Sequence, residues 1–203
     1  FNDDGKAYTA TADNVKVLRH DGLVAWYPFS GNAMEILNPA DNNGTVIGAD
    51  LTTDRVGDAN ASYSFGDDGD RIDINHVGFP LGNDARTIAG WVKLDANGSG
   101  NILFYGQLTD DVDLINYRKG VSVFAEKNGR VEIWGDSSGV PRGDDTNGTY
   151  IRDGNWHHVA FTYDGNGTAR LYVDGQVDEN ATDFALNTQP ELQSGSYRCV
   201  ITN

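Results

Sequence analysis

The stretch Asn155-Trp156-His157-His158-Val159-Ala160-Phe161-Thr162-Tyr163-Asp164-Gly165-Asn166-Gly167-Thr168-Ala169-Arg170-Leu171-Tyr172-Val173-Asp174-Gly175-Gln176 decides the fold. Two β-branched and aromatic runs flank a Gly/Asn turn whose residues tolerate positive φ, which is the pattern of a β-hairpin. Side chains alternate along a strand, so Val159, Phe161 and Tyr163 share one face, and Leu171 and Val173 continue it on the partner; these are predicted core residues. A second hairpin is predicted where Val121 to Ala125 and Val131 to Trp134 meet across Asn128-Gly129.

Outward from these hairpins, further strands are predicted at Asp13 to Leu18, Leu23 to Phe29, Ser62 to Phe65, Arg71 to Ile74, Thr87 to Leu94, Asn101 to Tyr105 and Tyr197 to Ile201. The 25 glycines, many beside Asp or Asn, punctuate them at the spacing of about 8 to 12 residues expected of short strands and turns. No convincing helix, linker or internal repeat is found. The expectation is an all-β antiparallel β-sandwich, with 203 residues and 38% hydrophobic content building one core. Residues 1–203 read as one domain, with 1–21 an N-terminal segment and 22–203 the main body.

Several phrases resemble, in order, the laminin G-like domains of the concanavalin A-like lectin and glucanase superfamily. They are Gly22-Leu23-Val24-Ala25-Trp26-Tyr27-Pro28-Phe29-Ser30-Gly31-Asn32-Ala33, Asn42-Asn43-Gly44-Thr45-Val46, Tyr63-Ser64-Phe65 with Asp70-Arg71-Ile72-Asp73-Ile74, Thr87-Ile88-Ala89-Gly90-Trp91-Val92-Lys93, and the opening hairpin. The resemblance implies a jelly-roll sandwich of the bacterial type. It also implies a closing strand that is missing after Val200-Ile201-Thr202-Asn203, while Asp13-Asn14-Val15-Lys16-Val17-Leu18-Arg19 resembles that strand at the other end. Two accounts stay open: a permuted sandwich, or a fragment of a tandem array completed by a neighbouring module.

Charge narrows the partners. With 30 Asp and Glu against 15 Lys and Arg the chain carries −15, which disfavours nucleic acid and anionic membrane surfaces. No run of 18 apolar residues suggests membrane insertion. Cys199 stands alone, which removes an internal disulfide framework and reads as a small core hydrophobe. The cysteine-poor, acidic style fits a bacterial protein, secreted or at the cell surface. The Asn-x-Ser/Thr phrases read as turns rather than glycosylation sites.

Glycan cleavage on such a sandwich needs carboxylates flanking one bond. Glu132 has no second carboxylate two residues away, so the chain is expected not to be an enzyme, and a glycan-cleaving role ranks third. His157 and His158 alternate across a strand and are expected to be structural rather than a shared zinc site. A calcium ion wants six to eight oxygens, which acidic Gly-rich loops can supply. Three such loops carry Asp67, Asp68 and Asp70, then Asp110, Asp111 and Asp113, then Asp144 and Asp145; each also reads as a solvated acidic turn. The resemblance favours a calcium site, and by position extends the candidates to Asn32, Asp3 and Asp4.

A sugar platform needs an exposed aromatic ring with polar groups beside it. If Val131 and Ile133 face the core, Arg130, Glu132 and Trp134 face outward together with Phe124 of the partner strand, and Tyr105 and Tyr117 border them. Trp91 and Trp156 are expected to pack between strands; Trp26 stays open. The leading reading is a noncatalytic carbohydrate-binding or adhesion module, a lectin-like domain whose partners are a glycan or cell-surface polymer and other domains of the same polypeptide. The alternative is a structural or protein-interaction module in which the Trp134 face is buried against another domain.

Overall fold

The structure is a computed structural model that describes residues 22–67, 69–75, 77–96, 98, 100–107, 119–125, 128–134 and 148–181. The strands are β1 (Thr45–Ile47), β2 (Asp50–Thr52), β3 (Ser62–Ser64), β4 (Arg71–Asp73), β5 (Arg86–Lys93), β6 (Gly100–Gln107), β7 (Lys119–Ala125), β8 (Val131–Trp134), β9 (Trp156–Tyr163), β10 (Ala169–Val173) and β11 (Gln176–Ala181). All pairings are antiparallel. They form a four-stranded sheet ordered β11-β10-β9-β5, a three-stranded sheet β6-β7-β8, and the two-stranded pairs β1-β4 and β2-β3.

Both predicted hairpins form. Leu171 stands opposite Phe161 and Val173 opposite Val159, while Phe124 stands opposite Glu132 across the β7-β8 turn. Val159, Phe161, Tyr163, Leu171 and Val173 are all buried, as the alternation requires. They join Val121, Val123, Ala125, Val131 and Ile133 in one apolar cluster, so the four-stranded and three-stranded sheets face each other across it. Burial of apolar area between those two faces is the main stabilising term of the fold.

A smaller cluster gathers Ala33, Ile72 and Ile74 with Tyr27, Phe29, Tyr63, Phe65 and Leu103; Phe79 packs against both clusters. Beside it lies a polar knot. Glu35, fully buried, accepts the backbone N–H of Trp26 and of Leu37 on Oε1 at 2.7 and 2.9 Å, and that of Asn38 on Oε2. Burial pushes the Glu35 carboxyl up, but the N–H groups of Leu37, Asn38, Trp26 and Ile36 outweigh it and hold the group below its ordinary range.

That knot explains a difference from expectation. Leu23 to Phe29 is not a strand, because its backbone is bonded by the Glu35 side chain and by Ile36 N–H to Trp26 O instead of by a neighbouring ladder, and Phe29 turns to φ 56°. One helix of four residues, α1 (Pro39–Asn42), was also not expected. It ends on buried Asn42, whose amide exchanges hydrogen bonds with the Val77 backbone at 2.9 and 3.0 Å. The proposed closing strand at 13–19 and the strand at 197–201 lie outside the described residues, as does Cys199.

Candidate functional site

The alternation that buries Val159, Phe161 and Tyr163 turns Trp156, His158, Ala160 and Thr162 to the other face of the four-stranded sheet. The pairing extends that face. Trp91 stands opposite His158, Lys93 opposite Trp156, and Ala89 opposite Ala160 on β5; Tyr172 stands opposite Ala160 and Arg170 opposite Thr162 on β10. Trp91 was expected to pack between strands. Instead it lies on the outer face with 47% of its surface exposed. The reason is parity: Ile88 and Val92 take the inward positions of β5, and an odd-numbered residue between them points out.

Two neighbours fix the Trp91 ring. His158 meets it edge-on, with ring centroids 5.2 Å apart, and the Arg55 guanidinium sits over it at 4.6 Å from the centroid. Arg55 comes from the loop between β2 and β3, which is built around Asp54: its Oδ1 accepts the N–H groups of Val56 and Asp58, both at 2.9 Å. Burial raises the Asp54 carboxyl, but the N–H groups of Asp58, Val56 and Gly57 and the Arg55 charge together bring it below its ordinary range. The loop therefore presents Arg55 from a preformed turn.

His158 is held in turn. Its backbone N–H donates to Asp174 Oδ1 at 2.9 Å, and the Asp174 N–H donates to His158 O at 2.8 Å. The second oxygen of Asp174 lies 2.8 Å from His157 Nδ1, and His157 Nε2 lies 3.0 Å from Asp153 Oδ1. His157 is thus clamped between two carboxylates and fits the structural role expected of it. Its partial burial opposes protonation, but the bonds to Asp174 and Asp153 prevail and raise it. Asp153 falls to about 2 through hydrogen bonds from Asn155 and His157, and Asp174 is lowered by His157 and the His158 N–H.

Of the platform expected around Trp134, the side chains described are those of Glu132 and Arg130. Glu132 was expected to face outward, yet it is only 3% exposed, as buried as its neighbours Val131 and Ile133. Alternation assigns a residue to a face but does not say whether that face is covered, and here the second face of β8 is covered at Glu132. A carboxylate so enclosed cannot flank a bond of a polymeric sugar. Arg130 is half-buried and its backbone bridges Tyr150. Trp134 stands opposite Ser122, while Tyr105 stands opposite core residue Val121, outside the Phe124–Glu132 row. Tyr117 lies outside the described residues.

Of the calcium candidates, Asp70 uses Oδ2 to accept the N–H groups of Gly66 and Asp67, both at 2.9 Å, and Asn32 Oδ1 accepts that of Met34 at 2.9 Å. Asp67 is exposed. Asp3, Asp4, Asp68, Asp110, Asp111, Asp113, Asp144 and Asp145 lie outside the described residues. Among the described residues no group of three or more His, Cys, Asp or Glu side chains converges on a metal position.

The architecture is that of an antiparallel concanavalin A-like β-sandwich. The chain belongs to the concanavalin A-like lectin/glucanases superfamily, whose laminin G model matches residues 65–197. No curated protein matches it. Among solved structures it is similar to the binding domain of Paraclostridial Mosquitocidal Protein 1, with 10% identity and a TM-score of 0.52 over 79% of this chain and 39% of that one. This chain therefore spans about two-fifths of that relative's length. It is also similar to domain 4 of AbnA, a GH43 extracellular arabinanase from Geobacillus stearothermophilus in complex with arabinotriose, with 20% identity, a TM-score of 0.49, and coverage of 86% and 79%. The botulinum neurotoxin serotype D binding domain aligns with 15% identity and a TM-score of 0.49 over 72% of this chain and 37% of that one. Among the described residues no helix is long and apolar enough to cross a membrane.

Proposed function

We propose that this chain is a noncatalytic carbohydrate-binding module that works outside the cell as part of a larger protein. The observation that carries this reading is Trp91, a large indole held in fixed orientation and open to solvent on a sheet face within a superfamily that includes lectins. An exposed flat ring binds the apolar face of a pyranose, and neighbouring donors bind its hydroxyls. His158, Lys93 and Thr87 line the same strands, and Tyr172 lies roughly 12 Å from Trp91 by strand spacing and rise, so the two rings lie on one face of the sheet. The burial of Glu132 removes the one strand carboxylate considered for catalysis and supports binding over cleavage.

The test is affinity electrophoresis or a glycan array with the intact chain and Trp91→Ala. Retarded migration on at least one polysaccharide, abolished by the substitution, is the expected result; binding unchanged by it overturns the site. Calcium stabilisation belongs to the same reading. Its support is the clustering of acidic residues in the sequence at Asp67-Asp68-Gly69-Asp70, Asp110-Asp111-Val112-Asp113 and Gly143-Asp144-Asp145, and it is tested by melting with and without a chelator.

A further inference from the structure

We infer that the Trp91 face selects glycans bearing carboxylates, that is, uronate-containing polysaccharides; this rests on the carbohydrate-binding reading above. The first ground is segregation of charge. The chain has twice as many acidic as basic residues, 30 against 15. Yet the outward positions of β5, β9 and β10 are Thr87, Ala89, Trp91 and Lys93, then Trp156, His158, Ala160 and Thr162, then Arg170 and Tyr172, with cations and no carboxylate. Three carboxylates at its margins are engaged in turns or ion pairs. Asp54 accepts the Val56 and Asp58 N–H groups, Asp164 those of Asn166 and Thr168, and Asp174 that of His158 together with the His157 ring.

The second ground is the geometry of Arg55. The Arg55 guanidinium lies over the Trp91 indole, and a guanidinium is a planar fork of N–H donors whose spacing matches a carboxylate. The Asp54 turn holds that group in place before any ligand arrives, which lowers the ordering cost of binding. A neutral sugar would use the part of Trp91 that Arg55 and His158 leave exposed but give the guanidinium no anionic acceptor. A uronate uses both, with Lys93 on the same strand two residues away to meet the acid of a neighbouring unit.

The test measures binding of the intact chain to sodium polygalacturonate, to the same polymer with its carboxyls reduced to alcohols, and to neutral glucans, all at one ionic strength and both with calcium and in EDTA, so that calcium bridging is separated from direct contact. Binding to polygalacturonate that drops about tenfold with Arg55→Gln, and similarly on carboxyl reduction, is expected. Lys93→Gln serves as a second variant on a separate element, and unchanged melting curves show that both fold. Equal binding to the acidic and reduced polymers overturns the inference while leaving carbohydrate binding intact. Failure to bind any of these polymers or any sugar of the array defeats the parent reading as well.

Discussion

The Arg55 guanidinium lies 4.6 Å above the ring of Trp91, joining the loop between β2 and β3 to the outer face of the four-stranded sheet. The contact orders both groups at a place where the sheet would otherwise present a mobile indole. Trp91→Ala should abolish polysaccharide binding yet lower stability by only about 1 kcal/mol, since the ring is 47% exposed. Binding isotherms and urea unfolding of the same variant separate the two effects.

The Asp153–His157–Asp174 clamp makes stability depend on pH in a set direction. His157 is raised above 6.5, so its contribution is fully present below that value and is lost as pH rises through the folded-state value. Asp153 and Asp174 are lowered from 3.8, so theirs is present above that value and lost as pH falls, for Asp153 toward about 2. The clamp is strongest between those two ordinary values. Melting temperatures measured from pH 3 to 9 should fall above neutrality more steeply for the native chain than for His157→Asn; parallel curves would remove the clamp as a contributor.

Glu35 offers a stronger perturbation. Glu35→Ala would leave the N–H groups of Trp26, Leu37 and Asn38 without their acceptor in a buried place, a loss of about 3 kcal/mol or more in urea unfolding. Glu35→Gln, which directs an amide N–H toward donors, should recover only part of it.

Gly44 has no room for a side chain. A Cβ there would stand 2.7 Å from Ile72 Cγ2 and 2.9 Å from both Ala33 Cβ and Ala33 O. Gly44→Ala should therefore cost about 1–3 kcal/mol, the usual penalty of overpacking. Gly66→Ala, which meets nothing within 4 Å, is the matched control and should unfold at the same denaturant concentration as the native chain.

Calcium bound at the acidic segments proposed above stabilises the folded chain and raises its melting temperature by mass action. Calorimetry should show a lower transition after chelation, restored by added calcium and not by magnesium, whose octahedral demands suit such loops poorly. Identical traces in all three conditions would end the calcium reading.

Period-two alternation, read from residues 155–176, placed the core of β9 and β10 correctly, because buried apolar residues must share a face. The same rule failed to locate the candidate site. It set Glu132 on an outward position, but whether an outward face is covered depends on distant chain, and at Trp91 the family likeness of the phrase suggested packing between strands where the structure leaves the ring half exposed. The single-turn Arg55 contact carries no sequence period at all. An Asp with a hydrophobic residue two positions on and a Gly three on, as in Asp54-Arg55-Val56-Gly57, signals a turn, but not what the turn reaches. Leu23 to Phe29 shows the opposite failure: its apolar run reads as a strand, while a side-chain carboxylate nine residues later supplies its hydrogen bonds.

Phe79 packs against both apolar clusters, and the smaller one draws Tyr27, Phe29, Ala33 and Tyr63 from before residue 65, where the superfamily match begins. The cooperative unit is therefore larger than the recognisable one. A chain trimmed to residues 65–197 would strip the cover from Ile72 and Ile74 and leave them as an adhesive patch, so self-association, rather than loss of the main sandwich, is the failure to expect from cutting this domain at its family boundary.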